Sequence, residues 1–245
     1  MIFLGWKLCD GGLGVIHSAD YDDNLSITIG YPKKNRLNVI VDVLRASSTI
    51  ITALANEIDE IIFLDNEKDL LKLKNEGFLL VGEYKGLKLP KFDINNSPVE
   101  LLDAISKGNY TKIALKTTNT TKKLANTGGI FIFSSTLNMF ATVDLLSSLY
   151  KDVKINLMAV GGRNGFTEDL SLVFSIYAFL NDDISINYEF LKDCLSNSKN
   201  ARYLSSIGYL KDIEFISNIN MYDIVPIMVN GVIKRYEDTD KDFIS

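Results

Sequence analysis

Short apolar runs rich in β-branched residues alternate with amphipathic stretches along most of the chain. This alternation is typical of strand–helix units built around a largely parallel sheet. The run Val39-Ile40-Val41 is apolar at successive positions, which indicates that both faces of the sheet are covered. We predict strands at residues 25–29, 37–43, 60–64, 78–81, 112–116, 130–134, 154–160, 224–229 and 232–236.

Amphipathic stretches between the strands predict helices at residues 47–56, 67–76, 137–149 and 167–180. The pattern therefore predicts the α/β class, a three-layer α/β/α fold with a mostly parallel or mixed central sheet. Residues 1–24 read as an N-terminal extension, and residues 25–245 as a single domain with a helical subregion near 183–218.

Two short motifs predict local structure within this fold. Ser97, Pro98 and Glu100 together predict a helix start, because serine caps the helix, proline fits its first turn and glutamate closes a capping box. Asn230-Gly231 predicts a tight turn between the last two strands.

Composition narrows the class of protein. The 245 residues are 47% hydrophobic and 23% charged, which is ordinary for a globular protein. The net charge of −5 provides no basic excess for nucleic acid, and no apolar run reaches the roughly 18 residues of a membrane span. The start of the chain does not resemble a signal peptide, and Cys9 and Cys194 are too few for a disulfide framework. We expect a cytoplasmic protein with no membrane or nucleic-acid partner, and leave a homo-oligomer open.

Histidine is nearly absent. His17 is the only one, in a Gly- and Asp-flanked stretch where an exposed loop position is its simplest interpretation. Histidine is the usual general base and the commonest zinc ligand. Catalysis in this chain is therefore expected to use carboxylates, hydroxyls, arginine and a hard metal ion.

The segment from Asp42 to Thr49 follows a predicted strand and opens a predicted helix. Backbone N–H groups and the helix dipole make such a start an anion site, and Arg45 can grip phosphate through two hydrogen bonds. The alternative is an N-capping serine beside a surface Arg–Asp pair.

Three further polar segments also follow predicted strands, and in open α/β sheets such segments meet beyond the carboxyl ends of the strands. Each has an ordinary structural alternative in a turn, a helix cap or a favourable acidic first turn. Together with Asp42 and Arg45 they predict an anion site with a hard cation, and hence phosphoryl chemistry. The residues concerned are Glu83, Asp93 and Asn96 in the first segment, Thr117 to Thr121 in the second, and Arg163, Glu168 and Asp169 in the third.

These ordered motifs resemble the 2-phosphosulfolactate phosphatase family. The matching stretches are residues 39–56, Gly82-Glu83, residues 92–98, residues 117–119, Gly162-Arg163 and Glu168-Asp169, with a weaker tail at residues 204–208, Asp212 and Val225-Pro226. The resemblance implies Mg²⁺-dependent hydrolysis of 2-phosphosulfolactate to sulfolactate and phosphate, a step of coenzyme M biosynthesis.

By resemblance, the chain's polar residues take candidate roles. The metal or general-base candidates are Asp42, Glu83, Glu168 and Asp169. The candidates that act on the reacting phosphate are Asp42, Arg45, Glu83 and Arg163, and those that bind substrate are Ser47, Ser48, Asn96, Thr118 and Asn119. The chain departs from the family pattern at Thr120, where the family usually has glycine.

The residues also restrict the mechanism. Neither cysteine is followed by an arginine phosphate loop, and Leu44 stands where an aspartyl-phosphate enzyme would need a second aspartate after Asp42. Direct attack by an activated water is the design that remains. A non-catalytic anion sensor is the main alternative function, and a purely structural subunit is a third.

Overall fold

The computed structural model describes residues 18–20, 24–64, 66, 68–124, 129–161, 165, 167–181 and 188–244. Three residues singled out from the sequence, Arg163, His17 and Cys9, lie outside these described residues.

Strands and helices alternate along most of the described chain. The strands are β1 Ser18–Asp20, β2 Leu25–Ile29, β3 Leu37–Val41, β4 Glu60–Phe63, β5 Leu79–Tyr84, β6 Leu87–Lys88, β7 Lys112–Lys116, β8 Phe131–Ser134, β9 Ile155–Ala159, β10 Pro226–Val229 and β11 Val232–Arg235. The α-helices are α1 Ala46–Ala55, α2 Leu70–Asn75, α3 Pro98–Lys107, α4 Thr120–Leu124, α5 Met139–Leu149, α6 Thr167–Leu180, α7 Tyr188–Ser196, α8 Lys199–Ser206, α9 Leu210–Ile216 and α10 Lys241–Ile244. Short 3₁₀ turns precede α5 and α10, at Thr136–Asn138 and Asp238–Asp240.

Helices cover both faces of the sheet, which confirms the predicted three-layer α/β/α fold. One core contains Val39 and Val41 of β3 together with residues of α5, α6 and α7. The other contains Ile40 of the same strand together with residues of α1 and α3. Successive side chains of a strand point to opposite faces, so β3 contributes to both cores and reads as a continuous apolar run. Helix α1 is buried from Ala46 to Leu54, as expected of a helix enclosed on all sides.

The sheet consists of two parallel blocks joined by an antiparallel hairpin. Its order is β1-β2-β9-β3-β8-β10-β11-β4-β7-β5-β6. Strands β2, β9, β3 and β8 run parallel, as do β4, β7 and β5. The hairpin β10–β11 pairs antiparallel with both blocks and within itself, so one block runs opposite to the other.

This reversal changes how the predicted site is assembled. Strands β3 and β7 are five places apart in the sheet, roughly 24 Å if the sheet were flat. The Asp42 carboxylate, directly after β3, nevertheless accepts a hydrogen bond from Thr120, which begins the helix after β7. The sheet must therefore be strongly curved, and twist of roughly 20–25° per strand turns the two blocks toward each other. Curvature, rather than a shared sheet edge, brings the polar segments together.

The structure also moves Glu83 from the predicted loop into a strand. Strand β5 continues through Tyr84 because the short β6 pairs with its end, Glu83 opposite Lys88 and Tyr84 opposite Leu87. The two-residue turn between them, Lys85-Gly86, has positive φ at both positions. Inside β5, a side chain at Gly82 would place its Cβ 2.5 Å from the Phe92 ring, so glycine is required there.

Three helices, α7, α8 and α9, lie in the region predicted to be helical near residues 183–218. Helix α7 contacts α8, α8 contacts α9, and α9 also contacts α3. Among the described residues, no helix has the length and apolar character needed to cross a membrane.

Candidate active site

Asp42 is buried directly after β3, at the floor of a cleft that Arg45 and Glu83 also line. Its Oδ2 accepts a 2.5 Å hydrogen bond from Thr120 Oγ1, and its Oδ1 accepts a long 3.4 Å bond from the Ala46 N–H. The Ser47 N–H donates to the Asp42 carbonyl at 2.9 Å. The N–H groups at the start of α1, predicted to bind an anion, are therefore directed to Asp42. An ionised carboxylate has about four acceptor positions, so Asp42 keeps capacity for a ligand.

The surroundings of Asp42 shift its pKa in opposite directions. Burial raises the pKa of this carboxyl to about 6, and the nearby Glu83 adds to the effect. The Thr120 and Ala46 hydrogen bonds and the Lys123 charge act in the opposite direction. Burial also lowers the pKa of Lys123, although the negative charges of Asp42 and Asp169 oppose that shift. Lys123 Nζ donates to the Val160 carbonyl at 2.5 Å, which holds the ammonium near both carboxylates.

Glu83 joins β5 to the segment after β7. Its Oε1 accepts from the Thr118 N–H at 2.5 Å, and its Oε2 accepts from Thr118 Oγ1 at 2.8 Å and the Gly86 N–H at 2.7 Å. Thr118 Oγ1 also accepts from the Lys85 N–H at 2.8 Å. Glu83 thus has three protein donors, and its carboxylate orients the cleft wall more firmly than Asp42 does.

Arg45 is buried and paired. Its Nη1 donates to Asp212 Oδ2 at 2.7 Å, its Nη2 donates to the Gly86 carbonyl at 3.2 Å, and its guanidinium lies 4.3 Å from the Tyr209 ring centroid. Asp212 of α9 also accepts from Ser97 Oγ at 2.6 Å. Neither a guanidinium free to grip phosphate nor the alternative, a surface Arg–Asp pair, is found; Arg45 forms a buried ion pair that ties α9 to the start of α1 and the cap of α3.

Asp169 connects two loops of the same parallel block. Its Oδ1 accepts from the Val43 N–H at 2.8 Å and its Oδ2 from the Gly161 N–H at 2.9 Å. Burial raises the pKa of this carboxyl well above its usual value, and Glu168 and Asp42 raise it further. Glu168 points elsewhere, its Oε1 accepting from Asn200 Nδ2 at 2.6 Å.

Ser47 and Ser48, predicted to bind substrate, direct their hydroxyls into the fold. Ser47 Oγ donates to the Ile40 carbonyl at 3.1 Å, and Ser48 Oγ donates to the Val43 carbonyl at 2.7 Å. Both side chains are fully buried at the start of α1. Asp93, an open candidate in the sequence, bonds to the Leu80 N–H and to Lys74.

Asn96 has a buried group that lacks a partner. The residue is 3% exposed and lines the cleft, yet its Oδ1 has no hydrogen-bond partner among the residues that the structure describes. The neighbouring Asn95 fixes the backbone here, accepting from the Asn96 N–H at 2.7 Å and donating to the Gly86 carbonyl at 2.9 Å. An unsatisfied buried amide oxygen is costly, so a ligand that bonds to Asn96 would remove a penalty.

One cleft of about 590 Å³ collects most of the predicted residues. Six of the residues given candidate roles line it, namely Asp42, Arg45, Glu83, Asn96, Thr118 and Asn119, and Thr117 of the threonine segment lines it as well. Ser47, Ser48, Glu168 and Asp169 are not among the lining residues, and Arg163 lies outside the described residues.

The cleft also contains residues that the sequence did not single out. Lys122 and Lys123 of α4 and Lys85 of the β5–β6 turn supply positive charge, and Asn200 and Tyr203 of α8 form part of the wall. The lysine pair directly follows the threonine cluster, which is the only signal that could have indicated it. With Arg45, four cationic side chains face two carboxylates, although the whole chain carries −5.

A sequence model of the 2-phosphosulpholactate phosphatase family matches residues 28–231. The chain belongs to this family. The "Probable 2-phosphosulfolactate phosphatase" of Carboxydothermus hydrogenoformans is 34% identical over 219 residues, covering 80% of this chain and 90% of that protein. The protein of the same name from Caldanaerobacter subterraneus is 32% identical over 227 residues, covering 84% of this chain and 92% of that protein. A third, from Thermotoga petrophila, is 32% identical over 219 residues.

Membership confirms the resemblance drawn from the ordered motifs and the predicted enzyme class, a phosphoric monoester hydrolase. The matched range contains every residue of the cleft described above.

The donor set of the cleft fits a hard divalent cation. Among the residues that the structure describes, no group of three or more His, Cys, Asp or Glu side chains is arranged to hold a metal. Mg²⁺ does not need such a cage, because it binds through one or two carboxylates, several waters and phosphate oxygens. Asp42 offers unused acceptor positions in the cleft, Glu83 lies near it, and Asn96 Oδ1 is an unbonded hard oxygen.

Proposed function

We propose that this chain is a Mg²⁺-dependent phosphatase that hydrolyses 2-phosphosulfolactate to sulfolactate and inorganic phosphate. The observation that supports this most is Asp42, a buried carboxylate with free acceptor capacity at the floor of a cationic cleft. The relatives named for this substrate supply the choice of phosphoester. Sulfolactate released here would enter coenzyme M biosynthesis, as the resemblance implies.

Asp42 is the residue we assign to the reacting end of the substrate. The pKa of its carboxyl is about 6, so the group is ionised at higher pH. In that form it can accept a proton from a water molecule or hold a cation. In hydrolysis, water adds to phosphorus, the ester P–O bond breaks, and the alcohol and inorganic phosphate leave. Mg²⁺, held by Asp42 with Glu83 nearby, would supply a Lewis acid for the phosphoryl oxygens.

The remaining residues position the phosphoryl group and oppose its charge. Lys123 is close enough to Asp42 to influence its ionisation, and it lines the same cleft. Asn96 and Asn119 offer amide groups to the substrate. Arg45 acts mainly through its buried pair with Asp212, which fixes the loop between β3 and α1 rather than leaving the guanidinium free for phosphate.

Phosphate release measured with 2-phosphosulfolactate tests this function. We expect turnover with Mg²⁺, loss of turnover in EDTA and recovery when Mg²⁺ is added back. Asp42→Asn should abolish most of the activity, and Glu83→Gln should reduce it.

Two outcomes would count against the proposal. Full Mg²⁺-dependent activity in both variants would remove Asp42 and Glu83 from the reaction. Calorimetric binding of the phosphoester without any phosphate release would favour the sensor instead.

A further inference from the structure

Two lysines of the cleft form no ion pair with any residue that the structure describes. Lys85 and Lys122 both line it, and among the described residues neither ammonium forms an ion pair. The Lys85 ammonium instead lies over the exposed Tyr84 ring, with its Nζ 4.8 Å from the ring centroid. Both lysines are exposed, so they stand at the rim of the cleft rather than at its floor.

The other two cations of the cleft are already balanced. Arg45 is paired with Asp212 at 2.7 Å, and both side chains are buried. Lys123 is bonded to the Val160 carbonyl and faces the negative charges of Asp42 and Asp169. Lys85 and Lys122 are opposed in the cleft by the single carboxylate of Glu83, which accepts only from uncharged donors, so these two lysines leave the cleft a net positive charge.

Lys85 occupies a backbone position that disfavours it. The turn Lys85-Gly86 has φ of +52° and +84°, the mirror-image turn in which asparagine or aspartate followed by glycine is preferred. A lysine in the left-handed region costs roughly 1 kcal/mol or more. Its ammonium contacts the exposed Tyr84 ring beside the turn, where a cation–π contact is weak, and an unfavourable residue at a cleft points to a role in function.

Hydrogen bonds join the turn that carries Lys85 to Thr118, in the segment just before the helix that carries Lys122. The Lys85 N–H donates to Thr118 Oγ1, which in turn donates to Glu83. Lys122 lies on α4, which begins two residues after Thr118. The carboxylate floor and the lysine rim are thus separate parts of one cleft, joined through Thr118.

We propose that Lys85 and Lys122 form a second anion subsite, which binds a carboxylate or sulfonate group carried by the phosphoester. Its assignment to a substrate rests on the proposed function above. Phosphate is held at the floor near Asp42, and the acidic substituents extend toward the rim. A substrate with an extra acidic group gains charge-assisted hydrogen bonds there, and a simple alkyl phosphate does not.

Binding of the non-phosphorylated acid tests the subsite without requiring turnover. Calorimetry at low salt would compare sulfolactate with lactate, which has only a carboxylate, and isethionate, which has only a sulfonate. We expect the double variant Lys85→Asn/Lys122→Gln to bind sulfolactate about 10- to 100-fold more weakly, the range expected for hydrogen bonds to charged groups. The probe that loses more affinity identifies the group that the lysines bind.

The substitutions are chosen so that folding is preserved. Asparagine suits the left-handed turn position, so Lys85→Asn should leave the melting temperature unchanged or raise it. Glutamine suits an exposed helix position such as residue 122. Lys107→Gln, which removes an exposed lysine of α3 paired with Asp103 outside the cleft, is the matched control and should not alter binding.

Phosphate release separates the subsite from the proposed function. In the double variant, kcat/KM should fall about 10- to 100-fold for 2-phosphosulfolactate and less than about threefold for isopropyl phosphate, which has no second acid. Unchanged sulfolactate binding, or equal losses for both phosphoesters, would overturn the subsite. Lysine-dependent sulfolactate binding in a protein that releases no phosphate would overturn the proposed function and leave the subsite standing.

Discussion

Asp42 and Asp169 are two buried aspartates of the same parallel block with different surroundings. Burial is the main cause that raises the pKa of each, and the charge of Asp42 raises the pKa of Asp169 further. Asp169 receives two backbone N–H groups at 2.8 and 2.9 Å and does not line the cleft. Asp42 receives one side-chain hydroxyl and one long backbone bond, and it lines the cleft. Because its two donors are backbone N–H groups of different loops, Asp169 acts as a structural brace between Val43 and Gly161. Asp42 retains acceptor positions for a ligand.

The largest expected effect is on activity at Asp42. Asp42→Asn should lower kcat by about 10³-fold, within the range for loss of a residue that handles the proton or the metal. Asp169→Asn makes the same chemical change at the brace and should lower kcat by less than about tenfold. Steady-state phosphate release from both variants checks the contrast, and equal losses would mean that the two aspartates do not differ in role.

Removal of the Asp169 carboxylate should lower the free energy of unfolding more than a substitution at Asp42. Asp169→Ala leaves the Val43 and Gly161 N–H groups buried without an acceptor, at about 1–3 kcal/mol each. We expect a loss of about 3 kcal/mol in the free energy of unfolding, measured by urea denaturation at about pH 4, where the raised pKa keeps the Asp169 carboxyl neutral and its removal relieves no buried charge. A loss below about 1 kcal/mol would show that water reaches these groups.

The pH dependence of stability offers a third comparison. The folded-state pKa of Asp42, about 6, is above its unfolded value of 3.8. The contribution of Asp42 to the free energy of unfolding is therefore fully present below about pH 4 and is lost as pH rises through 6. In EDTA at pH 8, Asp42→Asn should therefore be more stable than the unsubstituted chain by about 2–3 kcal/mol.

At pH 4 the difference between Asp42→Asn and the unsubstituted chain should nearly vanish, because the Asp42 carboxyl is then neutral in both the folded and the unfolded state. Denaturation curves across this range check the sign. A variant that becomes more stabilised toward low pH would contradict the raised pKa.

The smallest effect concerns Thr120. Thr120→Val keeps the shape and removes the donor to Asp42 Oδ2, so the pKa of Asp42 should rise further. We expect kcat at pH 7 to fall about tenfold, equivalent to a loss of about 1.4 kcal/mol, typical of a hydrogen bond to a charged group. Thr120→Ser retains the hydroxyl and should remain within about twofold of the unsubstituted chain.

The elements of the fold were predictable from the sequence, but the arrangement of the sheet was not. Apolar runs located β3, β7, β8 and β9, and Asn230-Gly231 correctly predicted the final hairpin. The insertion of that hairpin between two parallel blocks depends on long-range pairing that no local pattern encodes. The curvature that brings Thr120 to Asp42 follows from that pairing.

The candidate site was partly predictable for the same reason. Polar residues after strands indicated Asp42, Glu83, Thr118 and Asn119, all of which line the cleft. Sequence position could not show that the Ser48 hydroxyl is consumed by the Val43 carbonyl, because that depends on how the turn closes. The cleft lysines read as ordinary surface charges until the path of α4 places them.

The hairpin of residues 226–235 has a consequence for how the chain folds. These strands are made after every other described strand, yet they lie in the middle of the sheet, between β8 and β4. Until they emerge from the ribosome, both neighbours have open edges that can pair with other chains. A nascent or truncated protein that stops before residue 226 should therefore be prone to aggregation, and late contacts of high sequence separation should make assembly slow.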